Sequence, residues 1–285
     1  MDKPLVSIII PVYNSEKYIE ETLDSVSLQT FSLWECIIIN DGSVDNSEAV
    51  ILEKIKEDQR FKYIYQDNSG VCVARNIAIK QSIGDYVLCL DADDLISENF
   101  LEETVNLLQS DVNLGVATSL VKFFGRSYGT LKVISYNLEI ILAANQLVVT
   151  SLFRRIDFDI VGGFNENMKE GFEDWDFWIS ILKRNCTVAC ATKATFYYRL
   201  LGASRNKNIS SEKEQRLRYQ IWENHKELFC QYFVNPTHYF EYVRVANSPE
   251  YKIGLILLAP VRQLKYLIYL LKNNLLFNKS QRSKL

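Results

Sequence analysis

The sequence predicts an α/β fold: a mainly parallel sheet covered by helices on both faces, followed by a helical C-terminal appendage. Three observations carry this. Short, near-continuous apolar runs alternate with helical patterns through the first hundred residues, as strands buried on both faces require. Polar or acidic residues follow the ends of these runs, at Tyr13, Asp41, Asn68 and Asp91 to Asp93. In such sheets ligands bind at the carboxyl ends of the strands, so these residues converge on one crevice. From about residue 210 the pattern turns helical, with breaks at Pro236, Pro249 and Pro260.

Leu5 to Ile10 is a β-branched, buried strand stopped by Pro11. Ser15 to Leu28 reads as a helix, capped by Asn14 or Ser15, with Ile19, Leu23 and Val26 on one face. Trp34 to Asn40 is a second strand, ending in the turn sequence Asp41-Gly42-Ser43-Val44-Asp45. A helix follows to about Asp58, then a strand from Phe61 to Gln66. Asn68-Ser69-Gly70 opens a helix over 71–82, which leads into the apolar run Tyr86 to Leu90. The next expected elements are a helix from Asn99 to Ser110, a strand near 116–123, a helix over 174–184 and strands around 187–199. No element is assigned to 125–150.

Hydrophobic content of 48% and charged content of 24% over 285 residues match a globular chain with a sizeable core. Met1-Asp2-Lys3-Pro4 leads directly into the first strand, so no leader is expected. No apolar run is long enough to span a bilayer. The six cysteines form no zinc or redox spacing and are expected as reduced cytosolic thiols. The net charge of −3 hides an asymmetry: residues 251–285 carry seven basic side chains and no acid, against 25 basic and 35 acidic before them. An acidic body without a basic groove excludes nucleic acid as the partner. In the tail, Leu264, Leu267, Ile268, Leu271 and Leu275 share one helical face, and Arg262, Lys265 and Lys272 lie elsewhere on the same helix. Such a helix lies in a membrane interface, here through 253–285, or packs on protein.

The run Tyr86 to Leu90 ends abruptly in Asp91-Ala92-Asp93-Asp94. Three carboxylates this close repel one another unless something cationic sits among them. Hard divalent cations such as Mn²⁺ or Mg²⁺ take one or two carboxylates plus substrate phosphates, so a metal–diphosphate site is one reading. A solvated acidic turn capping the next helix is the other.

In order along the chain, Val6 to Asn14, Asn40-Asp41-Gly42-Ser43, Ala74-Arg75-Asn76, Asp91-Ala92-Asp93-Asp94, Gly162-Gly163-Phe164 and Glu173-Asp174-Trp175 resemble the family 2 glycosyltransferases. The resemblance covers residues 4–205. It implies the GT-A (Rossmann-like) fold, with a mixed, mainly parallel sheet, and inverting transfer from a nucleotide sugar to a glycan or lipid-linked glycan. It divides the chain into a catalytic domain over 1–205, with a nucleotide-binding half over 1–94 and an acceptor half over 95–205, and a helical extension over 206–285. That extension is similar to the tails of bacterial polysaccharide and lipopolysaccharide enzymes, and implies a cytoplasmic protein, peripheral at the inner face of the cell membrane.

Carried over by position, Tyr13 stacks on the nucleotide base beside Pro11, and the Asp41 carboxylate accepts the base N–H. Asn68 and Arg75 approach the diphosphate and nucleotide, Arg75 through the planar donors that suit phosphate. Asp91, with Ala92, meets the ribose or a metal-linked water, and Asp93 ligates the Mn²⁺ or Mg²⁺, with Asp91 as second metal residue. Asp174 is the base for the acceptor hydroxyl, and Glu173 supports it or binds acceptor. Gly162-Gly163 lets backbone approach donor or acceptor, or forms a plain turn. The family often places a His shortly after a Tyr-Arg pair as a further metal ligand; here Tyr198-Arg199 runs into Leu200-Leu201-Gly202. His225 and His238 are expected as surface or packing residues. Two rivals remain: a catalytically silent scaffold subunit of the same fold, and a sugar-phosphate nucleotidyltransferase. Against the second, Pro11-Val12-Tyr13-Asn14 replaces the Gly-rich basic loop such enzymes carry.

Overall fold

A computed structural model of the chain describes residues 3–131, 136–201 and 210–232, with 244–245, 247–254, 256–258 and 260 beyond them. The chain divides into two compact units, residues 1–232 and 233–285.

In the first unit, β1 (Val6–Val12), β2 (Trp34–Asp41), β3 (Phe61–Gln66) and β4 (Tyr86–Cys89) pair in parallel in the order β3-β2-β1-β4. Their β-branched runs are buried on both faces, and all eight residues of β2 are buried. On one face Ile8, Ile10, Val12, Ile38 and Leu88 pack with α1 (Ile19–Ser27) and α4 (Phe100–Ser110). On the other lies α3 (Val71–Gln81), against β1 and β2. The chain steps from β1 outward to β2 and β3, then returns to β4 on the far side of β1. That reversal opens a crevice beyond the carboxyl ends of β1 and β4.

The rest of the sheet is mixed. β8 (Leu152–Arg154) runs antiparallel between β4 and β6 (Leu114–Gly125), and the long β9 (Thr187–Leu200) runs parallel to β6 over most of its length. Short β5 (Leu95–Ile96) and β7 (Gly129–Thr130) pair antiparallel with β9 and β6. The long registers are the parallel ones, as expected.

Several elements differ from the sequence reading. β1 does not stop at Pro11 but runs through it to Val12, in register with Ile39 and Asn40 of β2. The first helix begins at Ile19, because Ser15 to Tyr18 form a separate turn, and the second, α2, spans Ser47–Ile55. The unassigned stretch contains α5 (Leu138–Ala143), and α6 (Arg155–Val161) follows β8 directly. Each is too short to show a helical period.

Helix α7 (Glu173–Leu182) buries Trp175, Phe177, Trp178, Ile179, Ile181 and Leu182. Phe177 stacks on Phe164 with ring centroids 4.2 Å apart and meets Phe153 edge-on at 5.1 Å. Helices α8 (Ser211–Asn224) and α9 (Lys226–Tyr232) close this unit. His225, between them, is a packing residue as expected: its Nε2 lies 3.0 Å from the buried Asp176 Oδ1, which also accepts from Asn224 Nδ2 at 2.7 Å. All six cysteines are free.

In the second unit the Ser248 Oγ accepts from Tyr251 N at 3.1 Å, capping a helical stretch in which Ile253, Ile256, Leu257 and Leu258 are all at least half exposed. The basic amphipathic face expected over 261–277 and His238 lie outside the described residues. Among those described, no helix is long and apolar enough to cross a membrane.

Candidate active site

At the carboxyl end of β1, Asn14 adopts a left-handed conformation (φ 53°). Its N–H donates to Ser43 Oγ (3.0 Å), and its side chain accepts from Val44 N (2.9 Å), tying the loops after β1 and β2 together. Tyr13, at the top of this tie, is 53% exposed and beside the half-buried Pro11. Asp41 ends β2 and is almost fully buried. Its carboxylate accepts from Gln66 Nε2 (2.6 Å), Ser69 N (2.8 Å) and Gly70 N (2.9 Å). It thereby satisfies orphan donors at the start of α3, where the helix dipole favours an anion. The loop it anchors leaves Asn68 exposed on the same rim.

The acidic turn follows β4. Asp91 and Asp93 are partly exposed, whereas Ala92 and Asp94 are buried beneath them. Asp94 accepts from Arg199 N at 2.7 Å. Burial, together with Asp93 and Asp91, holds its carboxyl well above the ordinary carboxylate range. Arg199 locks the turn from β9: Nε donates to Asp93 O (2.6 Å), Nη2 donates to Glu21 (2.8 Å), and the guanidinium lies 4.4 Å from the Phe124 ring centroid.

Arg75, on α3, is 1% exposed. Its Nη2 donates to Asp91 Oδ1 (2.8 Å) and its Nη1 to Glu173 Oε1 (3.1 Å), while the plane lies 5.3 Å from the Phe164 ring centroid. Burial opposes its charge, but Asp91 and Glu173 outweigh that and hold it more firmly protonated than usual. Where the sequence reading placed Arg75 at the diphosphate, the structure engages both terminal nitrogens with carboxylates. It makes Arg75 a strut between the acidic turn and the Glu173-Asp174 pair.

Asp174 stands in the first turn of α7, entered through Phe172 in a left-handed conformation (φ 60°). Its Oδ1 accepts from Trp175 N (2.8 Å) and its Oδ2 from Asn145 Nδ2 (3.1 Å). Its side chain is partly open yet densely surrounded by protein. That burial, then the neighbouring Glu173 charge, push its carboxyl up to about 7, against the pull of Arg75.

Gly162-Gly163 makes a turn, both residues with positive φ. Gly162 ends α6 with φ 84°. The turn is clamped by Asn76, whose side chain accepts from Phe164 N (2.8 Å) and donates to Phe164 O (2.8 Å). A Cβ on Gly163 (φ 88°) would lie 2.7 Å from Asn76 Oδ1, whereas one on Gly162 would meet nothing within 4 Å. Gly163→Ala is therefore expected to cost about 2 kcal/mol and Gly162→Ala about 1 kcal/mol, read by urea unfolding. Equal costs would remove the Asn76 clamp from the account.

Of the expected residues, Tyr13, Asp41, Asn68, Asp91 and Asp93 follow the carboxyl ends of the four parallel strands, and Arg75 links Asp91 to Glu173, next to Asp174. Sequence reasoning missed Asn76, Asp94, Arg199 and Asn145. The first two lie inside the motifs quoted above and were legible as motif members, though not as clamp and buried prop. Arg199 was noted only for its neighbours, and Asn145 lies in a stretch with no periodic signal.

As a metal centre, the crevice offers the carboxylates of Asp91 and Asp93. Among the described residues no group of three or more His, Cys, Asp or Glu is placed to hold an ion. Two partly exposed oxygen donors without soft ligands fit Mg²⁺ or Mn²⁺ completed by phosphate and water rather than a protein cage.

Comparison with known proteins identifies the family and the fold. Residues 7–175 match Glycosyl transferase family 2. TuaG of Bacillus subtilis (strain 168), named as a teichuronic acid biosynthesis glycosyltransferase, is 30% identical over 84% of this chain and 94% of its own length. The glycosyltransferase EpsH of the same organism is 36% identical over 43% of this chain and 36% of its own. Among solved structures, residues 1–349 of S. aureus TarS superpose with a TM-score of 0.65 at 24% identity, over 87% of this chain and 76% of that one. TarS has also been solved with UDP and with UDP-GlcNAc. The mannosyltransferase PcManGT of Pyrobaculum calidifontis, in complex with GDP-Man and Mn²⁺, superposes with a TM-score of 0.60 at 17% identity, over 80% and 65% of the two chains. The fold is that of the GT-A glycosyltransferases, and the chain belongs to glycosyl transferase family 2.

Proposed function

We propose that this chain transfers one sugar from a nucleotide-sugar donor, a UDP-sugar, to a hydroxyl of a saccharide or lipid-linked saccharide, with inversion, in cell-surface polysaccharide synthesis. The observation that carries this reading is the strut: Arg75 joins Asp91 on the donor rim to Glu173, next to a carboxyl at Asp174 whose proton affinity suits a base near neutral pH. In the step, Asp174 takes the proton of the acceptor hydroxyl as its oxygen attacks the anomeric carbon. The bond from that carbon to the diphosphate oxygen breaks on the opposite face, and its electron pair leaves with UDP. Tyr13 stacks on the base, Asp41 uses its remaining lone pair for the base N–H, and Asn68 faces the diphosphate. Mn²⁺ or Mg²⁺, held by Asp93 and Asp91, supplies Lewis-acid stabilisation of the leaving diphosphate when bound. TarS with UDP and UDP-GlcNAc supports the choice of nucleotide, and PcManGT with Mn²⁺ supports the metal. The exposed Ile253 and Ile256 to Leu258, continued by the basic tail, support membrane-surface contact and hence a lipid-linked acceptor.

The test is thermal stability against UDP, GDP, dTDP and CMP, each with and without Mn²⁺ or Mg²⁺. UDP with metal at a hundredfold excess over its Kd is expected to add about 2.7 kcal/mol, a rise of roughly 5 °C or more in Tm. No shift with any nucleotide at millimolar concentration would sink the donor reading and favour a silent scaffold.

A further inference from the structure

The carboxylate of the proposed base accepts a hydrogen bond from Asn145, a residue outside the motifs quoted above. We infer that Asn145 is a positioning residue for Asp174, aiming the carboxylate at the acceptor hydroxyl; this rests on the reading of Asp174 as the base. The amide has a single sense, because its Oδ1 accepts from Leu147 N at 3.1 Å. That leaves Nδ2 to face Asp174 Oδ2, at 3.1 Å. With Trp175 N on Oδ1 at 2.8 Å, each carboxylate oxygen has one fixed donor. The remaining lone pairs are then directed into the crevice, where an acceptor would lie.

The segment carrying Asn145 is itself held against the helix that carries Asp174. Trp175 Nε1 donates to Ile141 O at 2.5 Å. Arg218, from α8, donates to Ala143 O at 3.2 Å, with its guanidinium 5.1 Å from the Trp175 ring centroid. Asn145 therefore does not depend on a freely moving loop. A neutral amide also suits the task. It favours the carboxylate form moderately, whereas a lysine or arginine in its place would pull the proton affinity well below neutral. The charged groups acting on Asp174 are Glu173 on its own helix, which raises its affinity for protons, and Arg75 from α3, which lowers it.

The experiment is a pH titration of the aspartate side-chain carboxyl signals by ¹³C NMR in aspartate-labelled protein. Asp174→Asn identifies the Asp174 signal by its loss. In the unsubstituted chain that signal should titrate near pH 7. In Asn145→Ala the midpoint is expected to rise by about one pH unit, and in Asn145→Asp by more, since a second carboxylate then faces the first. Asn145→Ser, too short to reach, replaces the Ala variant should that fail to fold. An unchanged midpoint in the Ala or Ser variant would overturn the role of Asn145 and leave the base reading standing. A midpoint near 4 in the unsubstituted chain would instead remove the poised base, and the Asn145 inference with it.

Discussion

Asp174→Asn is expected to lower transfer by about 10²–10⁴-fold, the range of general-base catalysis, while UDP still stabilises the protein as it does the unsubstituted chain. The amide keeps the shape that receives Trp175 N and loses the ability to take a proton. For the parent chain, turnover should rise about tenfold per pH unit below 7 and level off above, because only the ionised carboxylate accepts the acceptor's proton. Stability should move in the opposite sense. The fold raises this carboxyl above its unfolded value, so it binds the proton more tightly than the unfolded chain does. Its stabilising contribution is complete below the unfolded value near 4 and is lost as pH rises through about 7. Above that, a charged and largely desolvated carboxylate beside Glu173 works against the fold. Asp174→Asn removes this charge and is expected to be more stable than the parent by about 1–2 kcal/mol at pH 8, a modest figure because solvent reaches the open side of the group. A gain in Tm at pH 8 that vanishes at pH 4, combined with lost transfer and retained UDP binding, would identify a base carried at a cost in stability. Full transfer in the variant would remove Asp174 from the mechanism.

The first four strands were legible because burial on both faces leaves an unbroken apolar run, and the polar residues ending those runs lie where a parallel sheet gathers ligand groups. The positions of Tyr13, Asp41 and the acidic turn at strand ends were therefore readable. The part of the fold after β4 was less readable for a physical reason. Its elements β8, α5 and α6 are three, six and seven residues long, too short for either periodicity to emerge. Partners far apart in sequence were invisible for another reason: nothing in Ala74-Arg75-Asn76 says that Asn76 pairs with Phe164 backbone 88 residues away. The carboxylate partners of Arg75 were invisible on the same ground, since Asp91 and Glu173 lie 16 and 98 residues away.

Arg75→Ala is expected to destabilise the chain by about 3 kcal/mol, measured by urea unfolding. Removing one member of a buried ionic group leaves the others without compensation. Glu173, with a side chain 14% exposed, is left with little solvent, whereas Asp91, at 37%, can rehydrate, which places the cost at the lower end of the usual 3–5 kcal/mol. Arg75→Lys keeps the charge but presents a point rather than a fork, and cannot hold both carboxylates in the same geometry. It should recover part of the stability and little of the activity. The loss also reaches the chemistry, because Arg75 pulls the Asp174 carboxyl down against burial and Glu173. Without it the rising limb of the pH–rate profile should move above pH 7, so the defect in transfer would be largest at neutral pH and smaller in alkali. A double-mutant cycle separates strut from simple packing. If the cost arises from an abandoned charge, Glu173→Gln should be nearly free in the Arg75→Ala background and should restore part of the lost stability, giving a coupling of about 1 kcal/mol or more. Strictly additive costs would mean that Arg75 fills space beneath the crevice and does not join its two sides.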